Sequence, residues 1–143
     1  MAGGAADPAT VVVASTDDNV VEVLARIIET DGHRAVRTSP ADDAPSVVLS
    51  ASADAAVLDL GAANPDQLDA LRTGGSERGE SVRVVVIATG PASALVAWHA
   101  GADAVLTRPF PAEDLLDALA SSLAADEPDR QSTRDHHITA LSS

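Results

Sequence analysis

The sequence predicts an α/β fold: one doubly wound parallel sheet of five strands with helices on both faces. Three observations carry that expectation. Short apolar runs alternate with helix-periodic segments along most of the chain. The connections between them are short, which for parallel strands demands right-handed crossovers. Finally, the runs end in polar tips: residues 10–14 lead into Ser15, Thr16, Asp17 and Asp18, residues 54–60 deliver Asp59, residues 84–88 lead into Thr89, and residues 104–106 into Thr107 and Arg108. In a parallel sheet these tips meet at one edge, where the chemistry of open α/β folds collects.

Residues 1–9 are small and Pro-containing, so a frayed leader is expected. Residues 10–14 form the first strand, and Ser15 to Asn19 supply N-caps for a helix whose Val20, Leu24, Ile27 and Ile28 share one face. Gly32 ends it. Residues 33–38 read as a weak strand and 40–52 as a small helix. The run at 54–60 is apolar throughout its middle, the mark of a strand buried on both faces. A loop at 61–65 precedes a short helix carrying Leu68 and Leu71 that ends near Gly74 and Gly75. Residues 82–88 are the most β-branched segment and predict a central strand. Pro91 opens a helix to Ala100, closed by Gly101. A last strand at 103–107 and a last helix at 112–124, striped with Leu115, Leu116, Leu119 and Leu123, complete the domain at 10–124. Residues 125–143 are charged and Ser-rich and are expected to be a disordered tail.

Composition narrows the function. With 143 residues and 45% apolar content the chain suits one domain with a real core. The absence of cysteine excludes disulfides and thiolate metal sites. No apolar run reaches the roughly 20 residues of a membrane span, and the N-terminus lacks a basic signal-peptide region, so a cytoplasmic protein with no membrane partner is expected. A formal charge of −13 opposes nucleic-acid binding, which needs many Lys or Arg against phosphates. Every basic residue is Arg, which looks like the codon bias of a G+C-rich genome.

Asp59 at the end of the third strand, Ala100-Gly101-Ala102-Asp103 before the fifth and Thr107-Arg108-Pro109-Phe110 after it together resemble the receiver domain of bacterial two-component response regulators. The resemblance covers residues 10–124 and implies a flavodoxin-like fold with strand order 2-1-3-4-5. It makes Asp59 the phospho-acceptor for a histidine kinase and places Arg108, where the family has Lys, on the phosphoryl group; the family's Ser or Thr after strand four falls on Ala88 or Thr89, of which only Thr89 could bond it. The family's acidic pair, which holds Mg²⁺, falls on Ser15 and Thr16, neither a carboxylate. Phosphoryl transfer onto a carboxylate needs charge neutralised, normally by that ion. With the pair gone, Mg²⁺ binding is expected to be weak or absent, its remaining ligands being Asp59, Gly61 and a shifted Asp17; the plainer role for Asp17 and Asp18 is to favour the first helix N-terminus. A standing Asp59–Arg108 ion pair is expected instead, because a guanidinium fork suits a carboxylate.

The resemblance also implies a partner surface on the helix before the fifth strand, that strand and the helix after it, here including Trp98 and Val105. Trp98 is either an exposed anchor or filler for an Ala-rich core. His136 and His137 read as a solvated tail, and His33 and His99 carry no signal. The expected function is an atypical single-domain response regulator in phosphorelay signalling, not an enzyme, acting by protein–protein interaction with a histidine kinase or another signalling protein. Two alternatives remain: a pseudo-receiver that binds without being phosphorylated, and a small flavin or nucleotide binder on the same topology. The latter is disfavoured because the first loop lacks glycine and the chain lacks stacking aromatics.

Overall fold

The structure, a computed structural model, describes residues 8–39 and 43–142. In chain order the elements are β1 (Thr10–Ser15), α1 (Asp18–Thr30), β2 (Arg34–Arg37), α2 (Ala44–Ser50), β3 (Ala55–Asp59), a 3-10 turn (Gly61–Ala63), α3 (Asn64–Thr73), α4 (Glu77–Ser81), β4 (Arg83–Ala88), α5 (Pro91–Ala100), β5 (Ala104–Thr107), α6 (Ala112–Ala124) and α7 (Glu127–Ser142). All four strand pairings are parallel, and the sheet order is β2-β1-β3-β4-β5. This is the flavodoxin-like receiver topology.

Side chains alternate across a strand, so each central strand feeds two cores. Val12, Ala56, Leu58, Val84 and Val86 face α2, α3 and α5, where Val48, Leu68, Leu71 and Trp98 meet them. Val11, Val13, Ala55, Val57, Val85 and Ile87 face α1 and α6, packing on Leu24, Ile28, Leu115 and Leu119. Full burial on both faces explains the uninterrupted apolar runs. On α1 the fully buried positions are Val21, Leu24, Ala25 and Ile28, with Val20 and Ile27 only half covered, a small rotation from the expected stripe.

Three expectations need correction. The frayed leader at 1–9 lies outside the described residues up to residue 7, but Ala9 is buried and its N–H donates to His33 Nδ1 at 3.0 Å. His33 therefore anchors the chain ahead of β1. The helix expected over 40–52 begins at Ala44, residues 40–42 lying outside the described set, and a further short helix, α4, fills the stretch before β4. Most consequential, the tail at 125–143 is not without structure: residues 127–142 form the longest helix of the chain, with only residue 143 undescribed.

Helix α7 forms because its first turn is well capped and its inner face is tied to the domain. The Asp126 side chain accepts the Asp129 N–H at 3.0 Å, and its carbonyl accepts the Arg130 N–H at 2.9 Å. Glu127 and Asp129 complement the positive end of the helix. Arg130 is 3% exposed, held by Asp103.

Candidate functional site

Parallel register brings the polar strand ends together. Ser15 is the Cα partner of Asp59 across β1 and β3, so their side chains leave the sheet edge side by side. Ser15 is buried; its hydroxyl donates to Asp59 Oδ2 at 3.0 Å and accepts the Asp17 N–H at 3.1 Å. From the loop after β5, the Arg108 guanidinium donates to the same Oδ2. Asp59 is mostly covered while Arg108 is half exposed, so the pair is bridged from the solvent side. One carboxylate oxygen is thus clamped, while the other, Oδ1, takes no hydrogen bond among the described residues.

Asn64 completes the frame, though the sequence analysis did not single it out. Buried at the start of α3, it accepts the Leu60 N–H at 2.7 Å and donates to the Ile87 carbonyl at 3.1 Å. It joins the loop after β3 to the end of β4. Its detectable signal was a polar amide directly before Pro65, at the first turn of a helix.

The remaining predicted positions are dispersed. Thr89 follows β4 and its hydroxyl bonds Ser93 Oγ at 3.0 Å, lining a cleft of about 340 Å³ with Gly61 and Pro65. Thr16 is exposed at the tip of β1, its N–H directed to the Asp59 carbonyl at 3.4 Å. Asp17 caps α1, accepting the Asn19 N–H at 2.9 Å, and the Gly61 carbonyl accepts the Asn64 N–H within the 3-10 turn.

These donors do not fit Mg²⁺. The ion takes carboxylates, carbonyls and water in a near-octahedral array, whereas here a neutral hydroxyl and a guanidinium flank the lone carboxylate. Among the described residues no group of three His, Cys, Asp or Glu side chains is placed to hold a metal.

A second charged cluster lies at the N-terminal ends of β4 and β5. Asp103, 2% exposed at its side chain, accepts from Arg72 Nη2 (2.9 Å), the Val84 N–H (2.9 Å), Arg130 Nε (2.6 Å) and Arg134 Nη2 (3.2 Å). Arg72 also donates to the carbonyls of Gly101, Gly79 and Val82. Its passage requires glycine at 101: φ there is 109°, and a Cβ would stand 3.0 Å from Arg72 Cγ. Burial draws the Arg72 guanidinium down to about 10, against the opposing pull of Asp103.

Of the two readings for Trp98, exposed anchor or core filler, the structure gives a buried ring under α7, and Val105, expected on the partner surface, lines a half-open pocket with His137. Trp98 is 5% exposed and Val105 half-buried. The His137 ring stacks on Trp98, so this histidine is not in a solvated tail either.

No protein-family model matches the chain, and no curated protein does. Solved structures do. The chemotaxis response regulator CheY4 of Vibrio cholerae superposes with a TM-score of 0.68 at 16% identity, over 80% of this chain and 98% of that one. The signal receiver domain of a response regulator from Bermanella marisrubri superposes with a TM-score of 0.69 at 19% identity, over 82% and 99%. The fold is that of the response-regulator receiver domain. The neighbours are matched over nearly their whole length, so part of this chain lies outside the shared fold.

Proposed function

We propose that this protein is a signalling receiver of atypical kind, working through its surface on another protein, with Asp59 as its phospho-acceptor. The observation that supports the reading is the asymmetric environment of Asp59: Oδ2 is held by Ser15 and Arg108 while Oδ1 takes no hydrogen bond among the described residues. In transfer from a phosphohistidine, Oδ1 forms the new bond to phosphorus, the P–N bond breaks, and the imidazole leaves and takes up a proton. Arg108 moves from the carboxylate onto the incoming phosphoryl oxygens. It is the charge-neutralising group here, in the part that Mg²⁺ plays where carboxylates hold it. Thr89 reaches the phosphoryl group by exchanging its bond to Ser93. Mg²⁺ contributes little, and the reaction is slow in consequence. A histidine kinase is the donor, and the output is a protein contact rather than nucleic-acid or membrane binding, in keeping with the −13 charge and with the absence, among the described residues, of any helix long and apolar enough to cross a membrane.

A second reading has its own support. The Asp59–Arg108 pair neutralises the acceptor without any phosphoryl group, which suits a pseudo-receiver that only binds. Incubation with acetyl phosphate, followed by intact-mass measurement, separates the two. One added phosphoryl group, lost in Asp59→Ala, is expected for the acceptor; an unchanged mass selects the binding module.

A further inference from the structure

The α5 side of the α5–β5–α6 face carries an occupant from the same chain. Helix α7 packs on α5, with Arg130 and Arg134, one turn apart, on Asp103 and with His137 on Trp98. The way Asp103 divides its bonds sets α7 apart from the domain. Oδ2 serves the fold itself, taking Arg72 and the Val84 N–H, together with a longer 3.3 Å contact from Arg130 Nη2. Oδ1 serves α7, taking Arg130 Nε and Arg134 Nη2. Removal of α7 therefore leaves Asp103 paired with Arg72 and bonded to β4, with Oδ1 turned to water rather than orphaned.

The apolar packing divides in the same place. Both cores close from β1 to α6, and α7 adds only the half-buried Ile138 to them. Between α7 and α6 a half-open pocket of about 240 Å³ remains, lined by Trp98, Val105, Ser122, Arg130 and His137. The helix therefore does not fill the face it lies beside. The connection from α6 is short and extended, Ala125 with φ −74° and ψ 136° leading to the Asp126 cap.

We infer that α7 is a self-docking plug: it opens and closes as a unit on a domain that stays folded, and competes with any partner for the Trp98–Asp103 face. The exposed face fits a helix presenting two arginines one turn apart and a flat ring three residues further on, the pattern of Arg130, Arg134 and His137. This rests on the reading of that face as the output surface, but its test does not involve Asp59 chemistry.

The test uses the full chain and its single tryptophan. In Arg130→Gln/Arg134→Gln, acrylamide quenching of Trp98 is expected to rise several-fold while cooperative thermal unfolding is retained. A peptide of residues 126–142 then restores the shielding at up to about 1 mM, the concentration a short tether imposes, and the same peptide with both arginines as glutamine does not. Trp98 still shielded in the variant, or a wild-type peptide without effect, overturns the proposal. Native-state hydrogen exchange on the unmodified chain keeps it falsifiable should the variant not fold: amides of α7 exchange about 100-fold faster than those of β1, β3 and β4 through sub-global opening, and equal protection makes α7 part of the core instead. Failure of phosphorylation leaves every one of these outcomes readable.

Discussion

The imidazole of His137 lies flat on the indole of Trp98, ring centroids 4.3 Å apart and planes within 2° of parallel. The stack joins residues 39 positions apart that sequence patterning places in unrelated contexts, a core helix and a polar tail. It also supplies a pH handle. Burial, with a smaller contribution from His136, holds the His137 ring below its ordinary pKa.

A histidine whose folded pKa is depressed binds more protons when undocked, so docking strengthens with pH. The contribution is complete above the ordinary value of 6.5 and is lost as pH falls through the lower docked value. The groups around the ring are His136 on its own helix, Trp98 from α5, and Asp103 and Arg130 across the shared pocket. Quenching of Trp98 is expected to increase between pH 7 and pH 5. His137→Phe, which keeps a ring and removes the proton site, is expected to flatten that profile.

Replacing Asp103 strands three arginines. Asp103→Ala is expected to cost about 3–5 kcal/mol, the usual penalty for removing one partner of a buried charge pair. Urea unfolding monitored by circular dichroism measures it. Asp103→Asn, which keeps an acceptor for the Val84 N–H, is expected to cost less.

Asn64 is a brace, so its loss should register in stability and local order. Asn64→Ala leaves the Leu60 N–H and the Ile87 carbonyl without their partner, a cost of about 1–3 kcal/mol. Hydrogen exchange at the Leu60 amide is expected to accelerate beyond the global change.

The missing carboxylate is open to restoration. Because Ser15 is the register partner of Asp59, Ser15→Asp with Arg108→Lys sets two carboxylates side by side and frees the acceptor from the guanidinium. Isothermal titration is expected to show Mg²⁺ binding in this variant at least tenfold tighter than in the wild type. Equal affinity in the two would mean that the Ser15 and Arg108 positions do not govern the ion.

The strands were legible because their information is local. Residues 55–58 are fully buried on both faces, and only a parallel central strand demands so unbroken an apolar run. Asp59 was nameable from its place at the end of β3, and Arg108 only through the family resemblance. The Ser15 hydroxyl as a donor to Asp59 was not, because that role depends on the β1–β3 register. Asn64 was hidden for a similar reason: its two partners lie 4 and 23 residues away on different elements.

Residues 127–142 show the same division most sharply. Asp126 ahead of Pro128 is a helix-start signal, yet a polar helix with little amphipathicity has no stability of its own in water. What holds it is a carboxylate 27 and 31 residues away, buried between β4 and Arg72. The sequence alone determined the parallel sheet, the alternation of its five strands with helices and the carboxylate at its edge, since periodicity and burial are properties of neighbouring residues. Only the tertiary structure decided that α7 forms and that Trp98 is covered, because the charges and rings responsible meet only once the chain has folded.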